Sequence, residues 1–270
     1  MAKMTKNAPI GIFDSGLGGL TVVKAVMRQL PSEDIVYLGD TARVPYGTKS
    51  PESIIRFSKQ NVSALLKHKV KMVIIACNSS SSHAIPALRK QFDVPIIGVL
   101  GPGVKKAASV TRNKKVGIIA TPATILSGAY AKQIRKTKPG VKVYSQACPL
   151  FVPLVEEGWF DRKVTREIAA EYLSGLKKAG IDTLILGCTH YPLLKKMLRK
   201  VMGPKVVLVD SAREVAGEAK KRLEALGLDR TRPRRASRRF FISDESKHFG
   251  RLAQRFLGTP IRNVRRYNFD

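Results

Sequence analysis

Met72-Val73-Ile74-Ile75-Ala76-Cys77-Asn78-Ser79 and Thr183-Leu184-Ile185-Leu186-Gly187-Cys188-Thr189-His190 share one pattern: a short apolar run, a cysteine, then a small polar residue. Each run is too short for a lone helix and rich in Val, Ile and Leu, as strands buried on both faces of a parallel sheet are. In open α/β sheets ligands bind outside the carboxyl ends of the strands, so both thiols are expected to face a bound ligand. The repetition predicts two similar halves, each giving one thiol. Two opposed thiols with no metal-ligand spacing suit removal of a proton from one face of a carbon and its return on the other.

Other readings of the cysteines are weaker. A single Cys at a strand end is commonly a small buried hydrophobe, and it is the repetition that lifts this pair above that. Three cysteines with no signal-like N-terminus fit a reduced cytoplasm better than a disulfide framework. No Cys-x-x-Cys or His-x-x-x-His spacing is present for zinc. Cys148, in Gln146-Ala147-Cys148-Pro149, lacks the strand–Cys–polar pattern and reads as structural.

Outward from the two cysteines, apolar runs alternate with helix-like stretches, the arrangement of α/β folds with parallel sheets. Strands are expected at Pro9–Phe13, Ile35–Leu38, Met72–Ala76, Pro95–Val99, Val116–Ala120, Val141–Ser145, Thr183–Gly187, Val206–Val209 and Arg239–Ile242. Leu100-Gly101-Pro102-Gly103 reads as punctuation where the chain crosses between halves, and Asp210-Ser211 as a second crossing before a helix over Glu214–Leu226. The fold expected is α/β: two similar domains with mostly parallel sheets and a site in the cleft between them. One domain takes residues 1–101 plus 211–270, the other residues 102–210. No apolar run approaches the roughly 18 residues that span a bilayer.

The 270 residues carry 49 Lys and Arg against 20 Asp and Glu, a net charge of +29. Such an excess suits an anionic partner, and nucleic acid is one class. The densest block, Arg230 to Arg239, holds only six of the basic residues, so the charge is spread. Aromatic residues are 7% and are not interleaved with the arginines as base-stacking surfaces require. A solvated basic surface that attracts a small anionic metabolite fits better.

Near the N-terminus, Ile10-Gly11-Ile12-Phe13-Asp14-Ser15-Gly16-Leu17-Gly18-Gly19-Leu20-Thr21 reads as strand, glycine-rich turn and helix. The glycines do not match a dinucleotide fingerprint. Asp14 has two readings: a helix cap, or a carboxylate in the same crevice as Cys77 that takes a proton or holds an ammonium group. The stretch Gly39-Asp40-Thr41-Ala42-Arg43-Val44-Pro45-Tyr46-Gly47-Thr48 reads as a long loop. There Tyr46 and Gly47 offer a hydroxyl and a backbone N–H to a carboxylate.

With these motifs in view, the chain resembles bacterial glutamate racemases. The resemblance rests on Phe13-Asp14-Ser15-Gly16-x-Gly18-Gly19-Leu20-Thr21, Gly39-Asp40-Thr41-Ala42-Arg43-x-Pro45-Tyr46-Gly47, Ala76-Cys77-Asn78 and Leu186-Gly187-Cys188-Thr189-His190-Tyr191-Pro192. These fall in the family's order along nearly the whole chain. It implies two α/β domains around a shared cleft and cofactor-independent exchange of L- and D-glutamate, which supplies D-glutamate for peptidoglycan. Two departures stand out. Ser79-Ser80-Ser81-Ser82 replaces the family's usual Thr-Ala-Ser, keeping a hydroxyl at Ser79. Ala123 stands where glycine is more usual, in Thr121-Pro122-Ala123-Thr124, leaving both threonine hydroxyls in place.

The resemblance implies that Cys77 and Cys188 are the two acid/base groups, with Cys77 acting on the D-enantiomer and Cys188 on the L-enantiomer. Asp14 is implied as the partner of Cys77, and His190 with Glu156 as the pair assisting Cys188. Substrate contacts are expected from Asp14, Ser15, Pro45, Tyr46, Gly47, Asn78, Ser79, Thr121, Thr124, Thr189 and His190. No pyridoxal motif offers an electron sink, so a carbanion-like transition state must be stabilised by donors around the carboxylate. Both cysteines are expected to precede a helix start, which favours a thiolate. No cofactor or metal is expected. Glutamate is the expected small-molecule partner, with no membrane; a homodimer and an anionic partner are left open. Competing readings are a racemase of aspartate or another amino acid, a maleate isomerase, and a basic DNA- or gyrase-interacting protein.

Overall fold

The computed structural model describes residues 5–232, 234–244, 249–261 and 263–269. Among the described residues, ten strands form two sheets in which every neighbouring pair runs parallel. The first contains β1 (Ile10–Asp14), β2 (Ile35–Gly39), β3 (Met72–Ile75), β4 (Ile96–Gly98), β9 (Arg238–Ile242) and β10 (Val264–Arg266). The second contains β5 (Lys115–Ala120), β6 (Lys142–Ala147), β7 (Thr183–Gly187) and β8 (Val207–Asp210). The first sheet is ordered β10-β9-β2-β1-β3-β4 and the second β6-β5-β7-β8. One arrangement occurs twice: a first strand lies between the second and third, and the fourth lies outside the third. Cys77 follows the third strand of one unit and Cys188 the third strand of the other.

Burial follows position in the sheets. β1, β2, β3 and β7 are buried along their whole length, whereas β6, at a sheet edge, is only partly covered. Most expected strands shift by one residue at an end, and two assignments differ by more. β6 runs two residues past the expected Ser145, and β10 was not expected at all. Val264-Arg265-Arg266 has a single apolar residue, and pairing with β9 is what makes it a strand.

The crossing between sheets also differs from expectation. Leu100-Gly101-Pro102-Gly103 is the first turn of the helix Leu100–Val110. Proline is tolerated there because that turn has no intrahelical use for its N–H. The helix expected from Glu214 starts earlier, as Ser211–Ala225, because the Asp210 carboxylate accepts the Ala212 N–H at 2.9 Å and caps it. This helix packs on Leu20–Gln29 and on Leu100–Val110, so it bridges the helices of both sheets.

Below the first sheet, at the amino ends of its strands, Lys71 is fully buried beside Glu33. Its ammonium lies 2.6 Å from the Glu33 carboxylate and donates to the carbonyls of Lys6 (2.8 Å) and Leu228 (2.7 Å). All three of its protons thus have acceptors. Arg230, the first arginine of the basic block, is also internal: it pairs with Asp34 at 2.9 Å and its backbone N–H donates to Glu33. Arg234 pairs with the same aspartate at 2.7 Å. The block is therefore partly structural; its Pro233 lies outside the described residues.

Removing one member of a buried pair strands the other charge, at a cost of about 3–5 kcal/mol. Lys71→Met is expected to lower unfolding free energy by about 3 kcal/mol in urea titrations. Lys105→Ala, which breaks an exposed pair with Glu218, should change it by less than about 1 kcal/mol.

Candidate active site

The carboxyl ends of β1, β3, β5 and β7 converge on one small pocket. From the first sheet's side, Ser15, Pro45, Tyr46, Gly47, Cys77, Asn78 and Ser79 line it. Across from them stand Thr121, Cys188, Thr189 and His190. Both cysteines therefore face one space, and both are buried free thiols. Cys148 lies outside the pocket, fully buried, its sulfur 3.7 Å from the Gln146 carbonyl oxygen. Val44, Val152 and Gly187 also line the pocket. Sequence reasoning missed them because apolar and glycine wall residues carry no chemical signature.

Three expected residues do not reach the pocket surface. Asp14 lies behind the wall, fully buried. One carboxylate oxygen accepts the N–H groups of Gly16 (3.1 Å) and Gly19 (3.0 Å), and the other accepts the Thr189 hydroxyl at 3.4 Å. It thus organises the glycine turn and reaches the opposite sheet's loop. Burial raises its pKa, opposed by the charge of His190 and by the Gly19 and Gly16 donors. Thr124 lies behind Thr121: the Ser79, Thr121 and Thr124 hydroxyls form a triangle with sides of 3.1, 3.2 and 3.1 Å. Glu156, 39% exposed at its side chain, stands behind His190 and contacts Nε2 at 3.1 Å.

The glycines of the N-terminal turn serve close approach. A Cβ on Gly18 would fall 2.3 Å from Thr189 Oγ1 and 2.8 Å from His190 Nδ1; one on Gly19 would fall 2.4 Å from the Asp14 Cβ. On the other side, a Cβ on Gly47 would fall 2.4 Å from the Thr121 Cβ. Both contacts join the two sheets.

Tyr46 corrects one expectation. Its hydroxyl does not face the pocket but donates to the buried Asp40 carboxylate and accepts from Asn61 Nδ2 at 2.9 Å. Asp40 also holds the Arg43 guanidinium at 2.7 Å and the Ser243 hydroxyl at 3.1 Å. The Pro45–Gly47 stretch is therefore pinned from beneath by a carboxylate that sequence reasoning passed over. Two 3₁₀ turns, Thr41–Arg43 and Tyr46–Thr48, replace the expected open loop.

The surroundings of the two thiols differ. Cys77 caps the helix Asn78–His83 and accepts the Ser80 N–H at 3.5 Å. Burial and the Asp14 carboxylate push its pKa up to about 11 against donors from Ser80 and Ser15, so it is a thiol at neutral pH. Cys188 is not followed directly by an α-helix, contrary to expectation. A 3₁₀ turn comes first, at Tyr191–Leu194, and the helix starts at Lys195. In place of a helix end, Cys188 has His190, whose Nδ1 lies 3.9 Å from its sulfur. Burial pulls the His190 pKa down, but Cys188 on one ring nitrogen and Glu156 on the other outweigh it and bring it up to about 10. An imidazolium at neutral pH therefore links a sulfur in the pocket to a carboxylate at its rim.

The model of a family described as Asp/Glu/Hydantoin racemase matches residues 11–219. A curated glutamate racemase from Geobacter metallireducens is 49% identical over 255 residues, 94% of each chain. The solved structure of a glutamate racemase from Francisella tularensis in complex with D-glutamate superposes with a TM-score of 0.92 at 40% identity, covering 98% of this chain and 99% of that one. A glutamate racemase isoform from Bacillus anthracis gives a TM-score of 0.93 at 38% identity, covering 97% and 98%.

Two predictions come from this geometry. Gly18→Ala should displace Thr189 and His190 and lower kcat/KM by about 10²-fold, as misplacement of catalytic groups does, while circular dichroism shows the fold retained. The second concerns pH. Folded His190 keeps its proton up to about 10 whereas the unfolded side chain loses it near 6.5, so this stabilisation is full below 6.5 and is lost as pH rises through about 10. Unfolding free energy should fall by up to about 1.4 kcal/mol per pH unit between pH 7 and 9. His190→Asn should flatten that slope in urea titrations.

Proposed function

The chain belongs to the Asp/Glu/Hydantoin racemase family, and on that premise we propose that it interconverts L- and D-glutamate by a two-thiol, cofactor-independent mechanism. The observation that supports this most is the placement of Cys77 and Cys188, which leave equivalent strands of two repeated units and line one pocket. Identity near 50% to curated glutamate racemases favours glutamate over aspartate. The accompanying domain division takes residues 1–101 with 211–270 around the first sheet and residues 102–210 around the second.

In the direction from L to D, Cys188 removes the α-proton and Cys77 delivers its own to the opposite face. The dry thiol at Cys77 is ready as the acid. The His190 imidazolium compensates the negative charge of a thiolate at Cys188, and Glu156 holds the imidazole. Asn78, Ser79 and Thr189 supply donors to the carboxylate while charge builds on the α-carbon. The backbone of Pro45–Gly47 borders the same pocket and receives the rest of the substrate. In the reverse direction the two thiols exchange roles. The net charge of +29 raises the local concentration of a small anion such as glutamate. D-Glutamate made in the cytoplasm would feed peptidoglycan synthesis.

A circular-dichroism assay on L-glutamate, with L-aspartate alongside, tests the substrate: rotation should decay to zero with glutamate only. Cys77→Ala and Cys188→Ala should each lower kcat by more than about 10³-fold, since neither survivor can be acid and base at once. In D₂O, proton NMR at low conversion should show D-glutamate deuterated at the α-carbon and the remaining L-glutamate protiated. Protiated product would mean that one base serves both faces.

A further inference from the structure

We propose that Tyr130 is a positioning residue for this reaction: its phenol turns the carbonyl oxygen of the Asn78 side chain away from the pocket, so that the amide Nδ2–H₂ group is presented to a carboxylate of glutamate. The proposal rests on the glutamate reading above and adds a residue to it that none of the sequence motifs contains.

Tyr130 is the second residue of the helix Ala129–Thr137, which belongs to the second sheet's side of the molecule. Its hydroxyl donates to Asn78 Oδ1 at 2.7 Å. Asn78 begins the helix Asn78–His83, directly after Cys77 and on the first sheet's side. It is 6% exposed and lines the pocket. Among the described residues, its amide nitrogen donates to no protein atom.

The structure has the phenol donating to Asn78 Oδ1, a direction its protonation state permits. Tyr130 is buried, and burial pushes its pKa far above neutrality, so the oxygen keeps its proton. A protonated phenol that donates to a primary amide can only meet the carbonyl oxygen, because the nitrogen carries two protons and accepts none. With Oδ1 fixed on Tyr130, Nδ2 must point the other way. A free amide would exchange its two ends readily, offering glutamate an acceptor as often as a donor. An acceptor facing a carboxylate repels it.

Ser211 is the phenol's other polar neighbour: its hydroxyl acts on the phenol oxygen as a donor, lowering its pKa against burial, which leaves the phenol's own proton for Asn78. A Cβ at Gly103 would fall 2.4 Å from that hydroxyl and 3.9 Å from the Tyr130 oxygen. Glycine at 103, in the helix Leu100–Val110, thus makes room for the Ser211 hydroxyl beside the phenol. The Tyr130–Asn78 bond also crosses between the two sheets, so the orientation of Asn78 depends on their being closed on each other.

The test is a double-mutant cycle on the full chain: wild type, Tyr130→Phe, Asn78→Ala and the double variant, each titrated calorimetrically with D-glutamate and assayed on L-glutamate. Tyr130→Phe should raise Kd and lower kcat/KM by about tenfold, the scale of one oriented hydrogen bond. In the Asn78→Ala background the same change should alter Kd by less than twofold, because Tyr130 acts through the amide. A Kd within twofold of wild type for Tyr130→Phe overturns the proposal. So does an equal loss in both backgrounds, since a packing role needs no Asn78. Absence of glutamate binding by the wild type overturns the substrate reading, and this inference with it; binding by the wild type with an unaltered Tyr130→Phe overturns this inference alone. Should Tyr130→Phe not fold, a crystal structure of the wild type with D-glutamate decides. Asn78 Nδ2 within about 3.2 Å of a ligand carboxylate oxygen, with Oδ1 on Tyr130, supports the proposal. Oδ1 turned toward the ligand, as located from deuterium positions in a neutron structure of the same complex, overturns it.

Discussion

Two parallel sheets that face each other through their strand ends can share a pocket only if the loops leaving those ends pass close together without collision. In this chain that constraint falls on a few backbone positions. Gly18 passes the side chains of Thr189 and His190, and Gly47 passes Thr121, at distances where no Cβ fits. The glycine-rich turn after β1 is thus explained by packing across the cleft, and no phosphate-binding role is needed. Thr189 reaches back to Asp14, whose other oxygen holds the turn itself. The same carboxylate therefore supports the first sheet's turn and the second sheet's loop.

Such closeness has an electrostatic cost. Asp14, Asp40, His190 and Cys77 are all withdrawn from water, and burial is the largest influence on the pKa values of Asp14, His190 and Cys77. Compensation is local. Asp40 collects Arg43, Tyr46 and Ser243, Asp14 collects backbone donors, and His190 is held between a sulfur and a carboxylate. Since these groups bind one another's orientation as well as charge, each substitution among them is felt by neighbours on both sheets. The basic surface enters differently. Of the Arg230–Arg239 block, Arg230 and Arg234 hold Asp34 beneath the first sheet, far from any use as a free cationic arm.

What could be read from the sequence divides along the same physical lines. Central strands such as β1, β3 and β7 are buried on both faces, so their apolar runs announce them and place the cysteines at their ends. β10 could not be read, because an edge strand with two arginines draws its identity from its neighbour. The proline of the Leu100–Gly103 segment misled for a related reason: a first-turn proline has the same local signature as a loop. Within the site, residues carrying chemistry of their own, such as Cys77, Cys188 and His190, were legible. Asp40 and Tyr130 were not, since their importance lies in which distant side chain they touch. Tyr46 shows the limit most clearly: its place at the pocket was foreseen, while the direction of its hydroxyl depended on a buried aspartate six residues earlier.

The repeated strand order gives the two thiols equivalent starting points, and the mirror relation between enantiomers asks for no more than that. The surroundings break the equivalence. Cys77 has a carboxylate behind it and is held as a thiol; Cys188 has an imidazolium beside it. Two sulfurs in identical surroundings would have no fixed assignment of acid and base before substrate arrives. In the proposed mechanism these unequal neighbours make Cys77 the acid at the outset. The return reaction then begins from the complementary pattern that each forward turnover leaves behind. On this reading the asymmetry around an otherwise repeated architecture is what lets two like groups act as an acid and a base.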